Sequence, residues 1–474
     1  MGWLGVGLGW NQRRFCVRSA IPRRVETDLM NLADDALADH AVDLCQRLLR
    51  LDTTNPPGNE RLAADLIAEE LTAAGLEPVI HESAPGRANV VARLKGTGKK
   101  PPLLLTAHLD VVESDPSKWT HPPFCGEIHD GCIWGRGAID MKNMAAMSVA
   151  LLARLSREGV KLERDIIFAG VADEEAGCQQ GSLWLVENHP ELVAAEYAIG
   201  EGGGFNFYLG NRSFFTVQVA EKGVCWVKAR ATGEPGHGSI PRSDSAVIKL
   251  ATAISRLGKQ GLPRHSTPVM RDFVASLASH LPAPLRPVIK RLMAPDIAPS
   301  LLSRLPNQAL ARPLLAMLGN TASPTVLRAG KKTNVIPNVA EAEIDGRMLP
   351  GQTDADILRE LKAVLGDDIE LEVMWSLPPV VTEPRDSPLL DTILSVMGEA
   401  APGAPVVPYL LPGFTDAKAF TKLGMRWYGF APVRLPKGIR FADMFHGHDE
   451  RIPVDGLRWG TQTLAQIVMR FCAA

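Results

Sequence analysis

The chain has 474 residues, of which 46% are apolar and 22% charged; that balance is ordinary for a globular protein, and the length exceeds what one core supports, so two domains are expected. A formal net charge of −2 gives no electrostatic footprint for nucleic acid or for an anionic membrane. Seven scattered cysteines with no C-x-x-C pair favour reduced, buried thiols in a cytoplasmic protein over disulfides or a thiolate metal site.

Residues 1–25 carry five arginines and no acid, but glycines and polar residues interrupt their apolar positions. No secretory core or bilayer span is expected there, and residues 1–30 read as a leader or a disordered arm. Helical periodicity runs from Leu37 through Ala41, Leu44 and Leu48 and stops at the turn chemistry of Asp52 to Glu60. A second amphipathic helix follows with Leu62, Leu66, Ile67 and Leu71, ended by Gly75. Asn89 to Leu94 reads as a strand, and the apolar run Leu103 to Leu105 as a buried strand delivering His108 and Asp110 at its C-terminal end. Alternation puts these two on one side of the chain, where an Asp110 carboxylate oxygen can hold one ring nitrogen while the other binds a metal. Asp140 precedes the helical stripe Met144, Met147, Leu151 and Leu152 and reads as an N-cap carboxylate facing the same crevice.

Two more apolar strands repeat the pattern. Asp165 to Ala172 ends in Asp173-Glu174-Glu175-Ala176-Gly177, and Tyr197 to Ile199 ends in Glu201-Gly202-Gly203-Gly204. Parallel strands joined by helices bring their C-terminal ends to one edge, so an imidazole and several carboxylates converge. A donor set without thiols suits a hydrolytic divalent ion, with zinc, cobalt or manganese admissible.

From Phe215 the character changes. Phe215 to Ala220 and Val224 to Ala231 bracket Glu221-Lys222-Gly223 and read as an antiparallel hairpin. Gly236-His237-Gly238-Ser239, a helix through Ala246, Leu250 and Ile254, Asn334-Val335-Ile336-Pro337 and an alternating strand carrying Arg347 follow. A helix over 354–365 and a strand over 369–374 complete a small α+β domain with one sheet, placed at 216–384. It would interrupt a catalytic domain of 31–215 and 385–474. Within it, 262–318 is rich in Leu, Pro, Ala and Arg and reads as several short helices interrupted by proline. These would pack on their own domain or a subunit interface, cover a greasy substrate, or attach to a membrane surface. The last quarter offers Thr415 and Asp416 at a helix start, and His446 and His448 on a loop.

Taken together, these ordered strings resemble the di-zinc metallopeptidases that include aminoacylase, glutamate carboxypeptidase, acetylornithine deacetylase and succinyl-diaminopimelate desuccinylase. The resemblance runs from Asp52 to Glu450. Glu201-Gly202-Gly203-Gly204-Phe205, Ala220-Glu221-Lys222-Gly223 and Gly236-His237-Gly238-Ser239 look most like the branch of carboxypeptidase S and the N-fatty-acyl-amino-acid hydrolases. The resemblance implies a zinc-exopeptidase-like mixed α/β sheet with helices on both faces, and an inserted ferredoxin-like lid and dimerisation domain. It implies two divalent ions, zinc in the first place, with Asp140 bridging them, His108 and Glu201 completing one, and Glu175 and His446 the other. Glu174 would be the general base and Asp110 the carboxylate behind His108. His237, Asn334 and Arg347 would reach the substrate from the inserted domain, His237 commonly from the partner in a homodimer.

Elementary chemistry is compatible with those roles. Two close divalent ions acidify a shared water and polarise a carbonyl. A carboxylate that ligates an ion is a poor base, so Glu174 and Glu175 must divide the work. His237 suits the developing oxyanion, and the planar fork of Arg347 suits a free α-carboxylate. The expected activity is hydrolysis of the amide bond in N-acyl amino acids or C-terminal peptide bonds by a bridging hydroxide. The alternatives are a dipeptidase or a deacylase of a biosynthetic intermediate, a two-metal phosphoesterase, for which only Arg347, Lys142 and Lys418 offer charge, and a catalytically silent binding protein.

Overall fold

A computed structural model of the chain describes residues 32–294, 297 and 313–473. The expected arm at 1–30 and, within the excursion at 262–318, residues 295–296 and 298–312 lie outside the described residues. Among those described, no helix is long and apolar enough to cross a membrane. The chain divides into two compact units, a larger one ending at Val219 and resuming at 382–409 and 415–474, and a smaller one of 220–381 with 410–414.

The larger unit opens with α1 (Asp35–Leu49), whose first turn is capped by Asp34 accepting from the Leu37 N–H at 2.8 Å; its buried stripe is Leu37, Ala41, Leu44 and Leu48. After the turn at 52–59 comes α2 (Glu60–Ala73), stopped where Gly75 takes a left-handed φ of 82°. Strands β1 (Val79–Ala84), β2 (Arg87–Leu94) and β3 (Leu103–His108) follow, and every β3 residue is buried. Helix α3 (Lys142–Arg157) is buried on all sides from Met144 to Ala153, as expected of a helix inside a large core. Asp140 is not its N-cap: Met141 holds that position, because the Asp140 oxygens are turned to two imidazoles instead of the helix N–H groups. Strands β4 (Ile166–Val171), β5 (Tyr197–Gly200) and β6 (Arg212–Glu221) complete this half.

In the smaller unit the order is β7 (Gly223–Thr232), α4 (Ala246–Gln260), α5 (Pro268–Ser279), β8 (Thr321–Ala329), β9 (Val339–Met348), α6 (Asp354–Leu365) and β10 (Ile369–Leu377). The four strands pair antiparallel in the order β8-β9-β7-β10. Leaving α5 aside, this is a βαββαβ unit with the ferredoxin-like strand order. Strict alternation along β9 buries Ala340, Ala342, Ile344 and Met348 against Leu250, Leu257, Ile357 and Leu361 of α4 and α6. The other β9 face carries Glu341, Glu343, Asp345 and Arg347. The excursion contributes α5 and short helical turns at Ala283–Leu285, Arg286–Lys290 and Arg291–Met293.

Back in the larger unit, α7 (Pro388–Ala400), β11 (Arg426–Gly429) and α8 (Val454–Cys472) finish the chain. The sheet order is β1-β2-β4-β3-β5-β11-β6. Parallel pairing joins β4, β3, β5 and β11, whereas β1, β2 and β6 are antiparallel to their neighbours. The parallel centre therefore turns the ends of β3, β4 and β5 to one edge, while α1 packs on α3 and α8, and α2 on β2. All six cysteines among the described residues are free.

The hairpin expected across 215–231 does not form, since β6 and β7 belong to different sheets. The tripeptide at its middle stays extended: Glu221 pairs with Val380, the Lys222 N–H donates to the Leu411 carbonyl at 3.1 Å, and β7 runs between β9 and β10. Lys222 is thereby fully buried, its Nζ donating to Thr321 Oγ1 at 3.2 Å. Burial, with the nearby Arg347 guanidinium, pulls its ammonium down from 10.5 to about 7. Between those values the unfolded chain keeps a proton that the folded chain has released, so folding gains from rising pH. Measured by thermal unfolding, the stability difference between wild type and Lys222→Met is expected to move in favour of wild type from pH 7 to pH 10. A difference that ignores pH over that window would contradict the assignment.

Candidate metal centre

His108 ends β3, Glu174 and Glu175 follow β4, and Glu201 follows β5, so the parallel register of three strands places them on one rim. Asp140 reaches the same point from the turn before α3, and His446 from a loop where its φ is 56°. Asp140 lies between two rings. Its Oδ1 is 2.9 Å from His108 Nε2, and its Oδ2 is 3.1 Å from His446 Nε2. Glu201 Oε2 is 3.8 Å from His108 Nε2, and Glu175 Oε2 is 3.1 Å from His446 Nε2. His446, and not His448, is the ring that meets these acids.

Three sets of donor atoms lie within 4.8 Å of one another: His108, Asp140 and Glu201; Asp140, Glu175 and His446; and His108, Glu174 and Glu175. Oε1 of both Glu175 and Glu201 is buried without a hydrogen-bond partner among the described residues. Burial pushes Glu174 and Glu201 well above the carboxylate range and Glu175 up to about 7, with neighbouring acids adding to each. Against the downward pull of burial, the Asp140 and Glu175 carboxylates carry His446 up to about 10. Acids crowded this way, with two buried oxygens unpaired among the described residues, fit bound divalent cations better than they fit a bare protein interior. The donors are nitrogen and oxygen only, as zinc, cobalt or manganese accept.

The inner donors are held by groups that the sequence only partly signals. His108 Nδ1 donates to the backbone carbonyl of Asp110 at 2.9 Å, with the carboxylate further away at 3.5 Å. That contact orients the ring so that Nε2 faces Asp140 Oδ1. The Asp110 carboxylate, expected to hold the ring, lies within ion-pair distance of Nδ1 and also accepts from the backbone N–H groups of Glu174 and Glu175, both at 3.1 Å, and from Asn55 Nδ2 at 2.8 Å. It thus fixes the turn carrying the two glutamates.

Asn55 also donates to Asp173, which takes Arg87 Nη2 at 2.8 Å, while Glu60 accepts two nitrogens of that same guanidinium. Asn55, Glu60, Arg87 and Asp173 escape sequence reasoning, although the turn string 52–60 containing two of them stands out. The string lies against the metal strand: Thr53 Oγ1 donates to the Leu109 carbonyl, and the Asn55 N–H to that of Val111. Thr415 and Asp416 are buried in the larger unit, where Ser182 Oγ donates to Asp416 at 2.5 Å. Lys142 spends its Nζ on the carbonyls of Leu48 and Leu51, at 3.1 and 2.7 Å, and burial lowers it to about 8.

His237, Asn334 and Arg347 lie in the smaller unit. His237 pairs with Val335 in a two-stranded ladder, and the Gly238 N–H donates to the Asn334 carbonyl at 2.8 Å, which brings His237 and Asn334 together. The Ser239 N–H donates to His237 Nδ1 at 3.2 Å, leaving Nε2 of the exposed ring to carry the proton in the neutral form. Arg347 is forked onto Asp345 at 2.7 and 3.1 Å and lies over the Phe414 ring at 5.3 Å. Its Nη1 is buried with no hydrogen-bond partner among the described residues. Trp226 Nε1 donates to the same Asp345 at 3.2 Å.

The family model for peptidase family M20/M25/M40 matches residues 104–470. An N-fatty-acyl-amino acid synthase/hydrolase of Xenopus tropicalis is 31% identical over 374 residues, covering 77% of this chain and 72% of that protein. A probable carboxypeptidase S-like protein of Dictyostelium discoideum is 30% identical over 366 residues, covering 74% and 68%. In fold, a metallo-carboxypeptidase of Sulfolobus solfataricus superposes with a TM-score of 0.69 at 20% identity, covering 91% of this chain and 99% of that one. With its donors gathered at the rim of a mixed sheet and its ferredoxin-like second unit, the chain belongs to peptidase family M20/M25/M40 and is a metal-dependent hydrolase of amide bonds.

Proposed function

We infer that the protein cleaves the amide bond of N-acyl amino acids or C-terminal peptide bonds, using a pair of divalent cations, zinc by preference, and Glu174 as general base. The observation that carries this is the Asp140 carboxylate with one oxygen on each of two imidazoles. His108, Asp140 and Glu201 would hold one cation, and Asp140, Glu175 and His446 the other. When bound, the pair supplies electrophilic polarisation of the scissile carbonyl and a more acidic water.

Glu174 has a backbone fixed by Asp110 and a carboxyl that burial and Glu201 make more basic than usual. It takes the proton of the attacking water as the new C–O bond forms, and gives it to the leaving nitrogen as the C–N bond breaks. Glu175, turned to His446, is spared that task. We assign the His237 Nε2–H to the developing oxyanion, Asn334 to substrate contact beside it, and the unpartnered Arg347 Nη1 to a free α-carboxylate. The two relatives, one a hydrolase of N-fatty-acyl amino acids and one a carboxypeptidase-like protein, support a substrate with an amide beside a carboxylate. A phosphoesterase would want free cations near the donors, and Lys142 is committed to carbonyls. The edge position of β8, with Leu327 62% exposed, suits pairing with a second copy through the smaller unit. Free cysteines suit a reducing, cytoplasmic compartment.

A panel of N-acyl amino acids of short and long acyl chain, with dipeptides, assayed with and without chelator, tests the reaction class. Chelator-sensitive release of the free amino acid is expected, and turnover indifferent to chelator would refute it. Glu174→Gln should keep its cations while losing about 10²- to 10⁴-fold in kcat, and wild-type turnover would remove Glu174 as base. Arg347→Ala should raise KM chiefly for substrates with a free carboxylate; an unchanged preference over their amides would count against that assignment. Zinc added to stripped protein should raise its melting temperature, because Glu175 and Glu201 regain counter-charge; a flat response would speak against cations at these donors.

A further inference from the structure

Glu450 is fully buried four residues after His446, yet it holds the loop of a different donor. Its Oε1 accepts from the backbone N–H of Ile139 at 2.7 Å and of Asp140 at 3.1 Å. Its Oε2 accepts from the Gly137 N–H at 3.0 Å and from Arg136 Nη1 at 2.8 Å. The same guanidinium sends Nη2 to the carbonyl of Gly447, next to His446, at 2.8 Å, and to Glu113 at 3.5 Å, and lies over the Trp119 ring at 5.2 Å. In return the Gly135 N–H donates to the Glu450 carbonyl at 3.1 Å. His446 and Asp449 both take positive φ, 56° and 59°, a loop conformation that needs outside support. Gly447 has no room for a side chain, because a Cβ there would come within 2.4 Å of the Asp443 carbonyl.

We propose that Glu450 and Arg136 are positioning residues for the metal centre: Glu450 fixes the backbone of Asp140 and so sets the affinity for both cations, and Arg136 ties the His446 loop to it and so sets the affinity for the cation of Asp140, Glu175 and His446. This rests on the two-cation reading above. The geometry is a division of labour on one carboxylate. Each oxygen takes two donors, which leaves little freedom for the turn from Gly137 to Asp140. Asp140 and His446 are far apart in the chain, and a single ion pair registers them to each other. Groups that orient ligands in this way typically govern about 10- to 100-fold in affinity.

The two residues separate experimentally. Arg136→Lys keeps a cation beside Glu450 but loses the bond to Gly447, so it loosens the His446 side alone. Glu450→Gln replaces an acceptor by an amide N–H facing donors, so it loosens Asp140, which both cations share. Full-length protein stripped of metal is titrated with Zn²⁺ against a competing chromophoric chelator, and the metal-free forms are melted in parallel. Wild type should give two dissociation constants. Arg136→Lys should weaken one of them at least tenfold and leave the other within about threefold, with the metal-free melting temperature near wild type, and excess zinc should restore kcat. Glu450→Gln should weaken both. Two unchanged constants in Arg136→Lys would overturn the proposal. So would a fall of both in proportion to a lowered metal-free melting temperature, which is what a merely structural ion pair produces. Wild type that binds no zinc would overturn the two-cation reading as well, which distinguishes that failure from this one.

Discussion

One carboxylate shared by two imidazoles is the constraint from which the rest of the larger unit can be understood. Asp140 presents an oxygen to each of His108 and His446, and each oxygen has a further acid nearby, Glu201 on one side and Glu175 on the other. In water such a cluster would spread. Held in a buried rim it raises Glu174, Glu175 and Glu201 above their ordinary range, a cost tolerated only where cations return the charge balance.

The fold meets that cost with rigid elements. Strands β3, β4 and β5 are buried along their lengths, so the ends that deliver His108, the Glu174-Glu175 turn and Glu201 have little freedom. Where donors come from loops, further polar groups hold them: Asp110 grips the glutamate turn, the Arg87 ion pairs with Glu60 and Asp173 brace it, and Glu450 secures the Asp140 turn. Asp110, Glu60, Asp173 and Glu450 are themselves buried and hydrogen-bonded, as polar groups in a low-dielectric interior must be, and Arg87 is half-buried beside them.

The central strands were legible because they are short apolar runs ending in ionisable residues, and β9 because it alternates without a break, whereas the ferredoxin-like arrangement around it was implied by the family resemblance. Asp140 as an N-cap was reasonable by spacing and differs in the structure, whereas Asp110 does pair with His108 and adds partners that spacing does not show. Spacing says which groups can be near; it does not say which of several partners a carboxylate chooses, and both acids chose partners far along the chain. The hairpin at Glu221-Lys222-Gly223 failed for a related reason. Alternation shows that two strands follow one another, but whether they pair with each other depends on competing neighbours, here β9 and β10 for β7. Asn55, Glu60, Arg87 and Asp173 carried no local signal, because each acts through a contact across tens of residues.

The most direct test of the account is a crystal of zinc-replete protein measured on both sides of the zinc absorption edge. Two anomalous peaks, with Asp140 bridging them, His108 and Glu201 on one and Glu175 and His446 on the other, are the predicted result. A single peak, or peaks away from these five side chains, would contradict it.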